Sequence, residues 1–308
     1  MVYYIFMIHK VFFILIAFLI SLVSMPIMIF ICKKANLYDY QDERKVHTGN
    51  IPRLGGVGII VSMFVISLFF IFYTENINFS KYLPLLISAF LIFIFGIIDD
   101  IFNLRAIFKL LVQLIASFIV VFNGFRINQI LGWVLPLPIS YIVTFCWIIG
   151  IINAYNLIDG LDGLCGSLSF LAILTYGVLY LITGSEEYTL CFIIAACVLG
   201  FLCFNFPPAK IFMGDGGSQS LGFIIAVIPL FTSSNTYEYN KFLIMLVITS
   251  IPLLDTIAAI WRRIRDHRPI MSPDRAHLHH KLMNLGYSGK RILFIVVLIQ
   301  IVLCSTTI

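Results

Sequence analysis

Four short stretches of the chain carry polar side chains in patterns that could do chemistry. In "FGIIDDIFNLRAIFKLL", Asp99 and Asp100 stand side by side at the end of an apolar run, with Asn103, Arg105 and Lys109 following. Adjacent carboxylates repel unless a cation lies between or beside them, so this pair reads as one half of a cation site. In "NAYNLIDGLDGL", Asn153, Asn156, Asp159 and Asp162 recur at every third position. On a helical turn they form a slowly drifting polar stripe, until Gly160 and Gly163 turn the chain into a loop. In "FNFPPAKIFMGDGGSQSLGF", Asp215 precedes two glycines and Ser218 at the start of another apolar run. A helix start with free amides favours anions, and an aspartate there serves equally as a helix cap or as a metal ligand. Phe212, three residues earlier, either stacks on a planar base or packs into the core. In "RRIRDHRPIMSPDRAHLHHKL", His277, His279 and His280 lie beside Arg275 and Lys281. No cysteine or further well-spaced ligand accompanies them, so phosphate or a polar sugar suits this group better than zinc.

Together these stretches supply acids for a divalent cation, cations for phosphate, and amides for a base or sugar. Oxygen-only acidic ligands select Mg2+ or Mn2+. Such an inventory is what transfer of a phosphorylated group onto a lipid requires, because the elements that carry it belong in a membrane. The chain is 61% hydrophobic and only 11% charged, with a mean hydropathy of +1.03. Stretches such as "LPLLISAFLIFIFGII" are apolar on every face, as a membrane helix is and an alternating barrel strand is not. The fold class expected is an all-α polytopic membrane protein, a single domain over residues 1–308 with about ten transmembrane helices. Spans are expected near 8–31, 54–73, 82–98, 106–122, 139–152, 167–183, 189–204, 218–233, 241–261 and 291–308. The first lacks a cleavage pattern and is expected to be retained. The cysteines lie mostly in the spans, without C-x-x-C spacing, and are expected to serve as small packing residues.

With ten spans, sixteen of the 20 Lys and Arg residues fall on one side. The excess of positive charge marks that side as cytoplasmic and puts both termini outside. Every aspartate falls on or near the same side. An ion-coupled transporter, the alternative class, would place its carboxylates near the bilayer midplane. Carboxylates gathered at helix ends facing one compartment suit a membrane-surface active site instead. The net charge of +5 fits anionic lipid and anionic substrate, with no nucleic acid partner. A CDP-alcohol phosphotransferase would need a longer D-G-x-x-A-R signature, and no H-E-x-x-H metalloprotease pattern occurs.

At these residues the sequence resembles the polyprenyl-phosphate N-acetylhexosamine-1-phosphate transferase family, which is related to the phospho-N-acetylmuramoyl-pentapeptide transferases. The resemblance runs from "RKVHTGNIPRLGG" to "HLHHKL", with "DD", "NAYNLIDGLDGL", "FMGDGGS" and "SPDRAHLHHKL" in the family's order. It implies attack by undecaprenyl phosphate on the sugar-linked phosphorus of a UDP-N-acetylhexosamine, releasing UMP, at the cytoplasmic face of a bacterial inner membrane. UDP-N-acetylglucosamine is the default donor, and another amino sugar or UDP-MurNAc-pentapeptide is the alternative. By the same resemblance Asp215 is a Mg2+ ligand, with Asp99 and Asp100 beside the metal and lipid phosphate. Asp162 and Phe212 map onto uridine recognition, Asn156 and Asp159 onto the nucleotide side, and Arg275, His279 and His280 onto the pyrophosphate or sugar; Asn153 and His277 are expected among the substrate-binding residues, and Asp159 beside Asp99 and Asp100 among the catalytic ones. A phosphate monoester is already largely dianionic at neutral pH, with a second pKa of about 6, so a general base at Asp99 or Asp100 is one hypothesis beside alignment and charge neutralisation. Membrane lipids are the expected surroundings, and a homodimer is left open.

Overall fold

A computed structural model describes residues 2–38, 51–74, 79–231, 240–269 and 277–308. Each of the ten stretches expected to span overlaps a helix, in the order α1 Val2–Lys34, α2 Gly55–Tyr73, α3 Phe79–Phe102, α4 Ala106–Phe122, α5 Leu137–Ile158, α6 Leu164–Ile182, α7 Tyr188–Asn205, α8 Gly214–Val227, α9 Lys241–Ile248 with α10 Ser250–Arg265, and, after the short α11 Leu278–Asn284, α12 Gly289–Ser305. A two-stranded antiparallel hairpin, β1 Gln129–Ile130 and β2 Trp133–Val134, joins α4 to α5. The protein is an all-helical polytopic membrane protein.

Among the described residues, length and composition identify six helices able to cross a bilayer, or seven if α9 and α10 form one bent span. The expectation of ten is not met on that criterion. The helices that fall short are α4 with 17 residues, α8 with 14 and α12 with 17. Two of them, α4 and α8, carry chemistry-bearing side chains in their first turn, so part of their length serves the site and not the crossing.

α8 is the axis of the bundle. Every residue from Gly216 to Val227 is buried, which makes it a helix enclosed on all sides. It packs against α3, α5 and α2. The approach to α3 is closest where Gly96 meets Gly216: a Cβ on Gly96 would lie 2.9 Å from the Gly216 nitrogen. Two facing glycines allow the backbones to touch, the usual device for tight helix contact in lipid. One turn beyond that contact α3 delivers Asp99 and Asp100.

The break between α9 and α10 bends the chain by 76°. Pro252, in the first turn of α10, has no N–H to return to Ile248. The Ile248 carbonyl is instead taken by Gln300 Nε2 from α12, at 2.7 Å. Gln300 is fully buried, so α12 closes the bend with a hydrogen bond that lipid could not provide.

Candidate active site

The C-terminal ends of α3 and α5 and the N-terminal ends of α4 and α8 meet around a pair of carboxylates. Asp99, only 2% exposed, accepts a hydrogen bond from the Leu104 amide at 2.8 Å through Oδ1. That bond folds the chain back after α3 and sets the start of α4. Its Oδ2 lies 2.5 Å from Lys109 Nζ, and the same ammonium lies 2.6 Å from Asp215 Oδ2. Lys109 therefore bridges one acid from α3 and one from α8. Side chains more than a hundred residues apart are joined because α4 starts one short turn after α3 ends.

Asp100 plays a different part from its neighbour. Its Oδ1 accepts from the Asp215 amide at 2.9 Å and its Oδ2 from the Gly216 amide at 3.0 Å. Both oxygens are spent on the free amides at the start of α8, as an N-cap's would be, although the acid comes from another helix. Gly214 permits this, with φ of +75° and a hypothetical Cβ 2.7 Å from Asp100 Oδ2. Of the two adjacent acids, Asp99 faces the bridging cation and Asp100 holds the backbone that carries Asp215.

The α2 start completes the frame. Gly55 and Gly56 donate to the carbonyls of Phe212 and Met213, both at 2.8 Å, while the Phe212 amide donates to Pro52 at 2.7 Å. Phe212 is fixed through its backbone, with its side chain half-buried. The segment at 52–56 is thus a structural part of the site that the residue-type reading left without a role.

The stripe in "NAYNLIDGLDGL" divides. Asn156 donates to Ser218 Oγ at 3.0 Å and also hydrogen-bonds the Asp215 side chain, so it belongs to the carboxylate group. Asn153, one turn deeper, donates to Gln113 Oε1 at 2.8 Å, and Gln113 donates to Gln219 Oε1 at 3.1 Å. Asn153, Gln113 and Gln219 lie one turn below Asn156, Lys109 and Asp215 respectively and tie α5, α4 and α8 together. Asp159 ends α5 and is half-buried. Asp162 is buried and accepts from the Ala209 amide at 2.9 Å. Beside it, Asn205 accepts from the Gly163 amide and donates to the Ile211 carbonyl. Asp162 and Asn205 therefore clamp the 159–163 loop to the 205–213 loop.

The histidines sit at the rim. His277 Nδ1 lies 2.8 Å from Asp255 Oδ2, and the Leu278 amide donates to Asp255 Oδ1 at 2.9 Å. The rings of His277 and His279 are parallel, with centroids 6.0 Å apart, and His280 lies 4.2 Å from His279. His279 packs on Gly160, which brings the histidine helix against the second cluster. Burial first, and then the neighbouring His280 and His277, push the His279 pKa down to about 4. Its imidazole is neutral at physiological pH. Arg275 lies outside the described residues.

Among the described residues, no three His, Cys, Asp or Glu side chains form a ready-made metal cage. Asp99 and Asp215 nevertheless aim one oxygen each at a shared point where a positive charge already sits. One or two carboxylates, with the remaining positions filled by water and phosphate oxygens, is how Mg2+ is commonly held. The donor set fits that ion.

The family described as glycosyl transferase family 4 matches residues 82–233, which take in most of α3 and all of α4, α5 and α8. The chain is 36% identical over 301 residues to a probable undecaprenyl-phosphate N-acetylglucosaminyl 1-phosphate transferase of Bacillus subtilis (strain 168), covering 93% of this chain and 82% of that one. It is 32% identical over 297 residues to the decaprenyl-phosphate N-acetylglucosaminephosphotransferase of Mycobacterium tuberculosis (strain ATCC 25618 / H37Rv), covering 84% and 72%. It is 29% identical over 286 residues to the undecaprenyl-phosphate alpha-N-acetylglucosaminyl 1-phosphate transferase of Escherichia coli (strain K12), covering 89% and 77%. The chain belongs to glycosyl transferase family 4, together with these N-acetylglucosaminyl 1-phosphate transferases.

Proposed function

We propose that this protein transfers N-acetylglucosamine 1-phosphate from UDP-N-acetylglucosamine to undecaprenyl phosphate, releasing UMP. The observation that carries the reading is the pair Asp99 and Asp215, brought from α3 and α8 onto one point with Lys109 between them, in a chain whose relatives are named for this transfer. A lipid phosphate oxygen attacks the phosphorus that bears the sugar, the bond from that phosphorus to the bridging oxygen breaks, and UMP departs with the electron pair. Asp99 and Asp215 are the residues that would hold Mg2+, which when bound would supply neutralisation of charge on the reacting phosphates.

The chain's own residues then have separable tasks. Asp100 keeps the Asp215 backbone in place through two amide bonds, so its contribution is to position the ligand and not to accept a proton. Lys109 supplies a second positive charge beside the phosphates. Asn156 steadies the Asp215 side, and the clamped 159–163 and 205–213 loops frame the nucleotide. The site opens to the cytoplasm of a bacterial inner membrane, which the one-sided distribution of Lys and Arg supports. The ten helical stretches cross the membrane ten times, the short ones with their inner ends sunk at the site.

A panel of UDP-N-acetylhexosamines tests the donor. Purified protein with undecaprenyl phosphate and Mg2+ is expected to form lipid-linked sugar from UDP-N-acetylglucosamine faster than from the N-acetylgalactosamine, N-acetylquinovosamine or N-acetylfucosamine donors. A higher kcat/KM with any other member would replace the assigned sugar while leaving the chemistry in place.

A further inference from the structure

The histidine helix is anchored by a residue that the reaction scheme does not yet use. Asp255 lies on α10, in the half of the bent span that runs toward the inner surface. Its side chain and that of His277 are each 7% exposed, so neither is a solvated surface group. Burying a carboxylate in this position is costly unless its oxygens are satisfied, and an apolar residue would fill the helix face without that cost. Both oxygens are used on one target: Oδ2 lies 2.8 Å from His277 Nδ1 and Oδ1 accepts from the Leu278 amide at 2.9 Å. A carboxylate on one ring nitrogen fixes the tautomer and the ring plane, and leaves Nε2 as the nitrogen open to a ligand.

His277 is in turn the first member of a short stack. Its ring is parallel to that of His279 within 5°, and His279 rests on Gly160, where a Cβ would come within 2.6 Å of Nε2. The 159–163 loop follows α5, whose Asn156 reaches the Asp215 side chain. The chain of contacts therefore runs from the bent span, through Asp255, His277 and His279, to the loop beside the carboxylates.

We propose that Asp255 is a positioning residue for the transfer reaction: it holds His277 with Nε2 presented to the diphosphate-sugar donor. The proposal rests on the transferase reading given above. A pin whose only task was to attach α11 would touch backbone alone. Asp255 also sets the ring, and this difference can be measured.

Asp255→Asn is the informative change, because the asparagine carbonyl still accepts from the Leu278 amide and keeps the helix attached. Its NH2 group, however, cannot accept the His277 Nδ1 proton. Steady-state kinetics of the full-length protein, with His277→Gln and the double variant, form a cycle. Asp255→Asn is expected to lower kcat/KM for UDP-N-acetylglucosamine by about 10- to 100-fold, the range usual for loss of a residue that orients a functional histidine. KM for undecaprenyl phosphate is expected to stay within about twofold, and the double variant to be no slower than His277→Gln alone. Losses that multiply, or equal effects on both substrates, would overturn the proposal, since Asp255 would then act independently of His277. Full activity of His277→Gln would overturn it too, while leaving the transferase reading intact. Wild-type protein that releases no UMP would overturn that reading, and the proposal with it.

Discussion

At the scale of single residues, the site depends on a division of labour between two acids that are adjacent in sequence. Asp99 faces the bridging charge and Asp100 faces backbone amides. Replacing Asp215 by Asn is expected to lower kcat by on the order of 100-fold or more, since the proposed Mg2+ ligand and its charge are both lost. Asp100→Ala removes the acceptor of two charge-assisted bonds, each worth roughly 1.5–3 kcal/mol, so it should lower thermal stability as well as rate, whereas Asp215→Asn should lower rate alone. Lys109→Gln leaves Asp99 and Asp215 facing each other without a cation, and added Mg2+ should therefore raise the melting temperature of this variant more than that of the wild type. An equal shift in both proteins would argue against an ion between these acids. The depressed pKa of His279 makes a further prediction. Between the ordinary value of 6.5 and about 4, the unfolded chain binds a proton that the folded one refuses. Stability from this group is complete above the upper value and is lost as pH falls through that window. Melting curves from pH 7 to 5 should drop less steeply for His279→Phe than for the wild type. The residue types were legible in the sequence, but their roles were not. Nothing in "DD" tells which acid turns to an amide, and Lys109 meets Asp215, and Asp255 meets His277, only through contacts about a hundred and about twenty residues away.

At the scale of elements, the precision of the site comes from how closely α3 can approach α8. Gly96→Ala is expected to separate the two helices at Gly216 and to cost about 1–3 kcal/mol, as overpacking in a tight interface does. The displacement acts one turn from Asp99 and Asp100, so activity should fall further than stability suggests, which kcat measured beside the melting temperature would reveal. The bend between α9 and α10 offers a milder test. Gln300→Leu strands the buried Ile248 carbonyl but also removes a buried amide oxygen that lacks a partner among the described residues. A net loss of about 0.5–1 kcal/mol in a denaturation series follows. Helix positions were easy to read, because an apolar stretch must be helical in lipid. The threefold spacing of Asn153, Asn156, Asp159 and Asp162 was less informative. Only the first two lie on α5; Asp159 ends it, and Asp162 ties two loops together.

At the scale of the whole molecule, acids, amides and histidines from separate helices collect at one end of a bundle whose central helix is buried from Gly216 to Val227. That arrangement requires the loops bearing them to share a compartment. A cysteine at Trp133, which is 80% exposed on the α4–α5 hairpin, should react with an impermeant maleimide added to intact cells. One at Lys290, at the start of α12, should react only after the membrane is opened, and the reverse pattern would invert the topology. Ten apolar stretches were legible in the sequence, but the length of the helix formed by each was not. Three of the helices are shorter than a usual span, and two of these, α4 and α8, spend part of their length on Lys109, Gln113, Asp215 and Gln219. The most direct measurement for the function as a whole is 31P NMR of purified protein turning over UDP-N-acetylglucosamine with undecaprenyl phosphate and Mg2+. Transfer of sugar together with its phosphate predicts UMP and a lipid diphosphate in equal amounts, and neither with Asp215→Asn. Formation of UDP and a lipid monophosphate sugar, or no turnover by folded protein, would contradict the account.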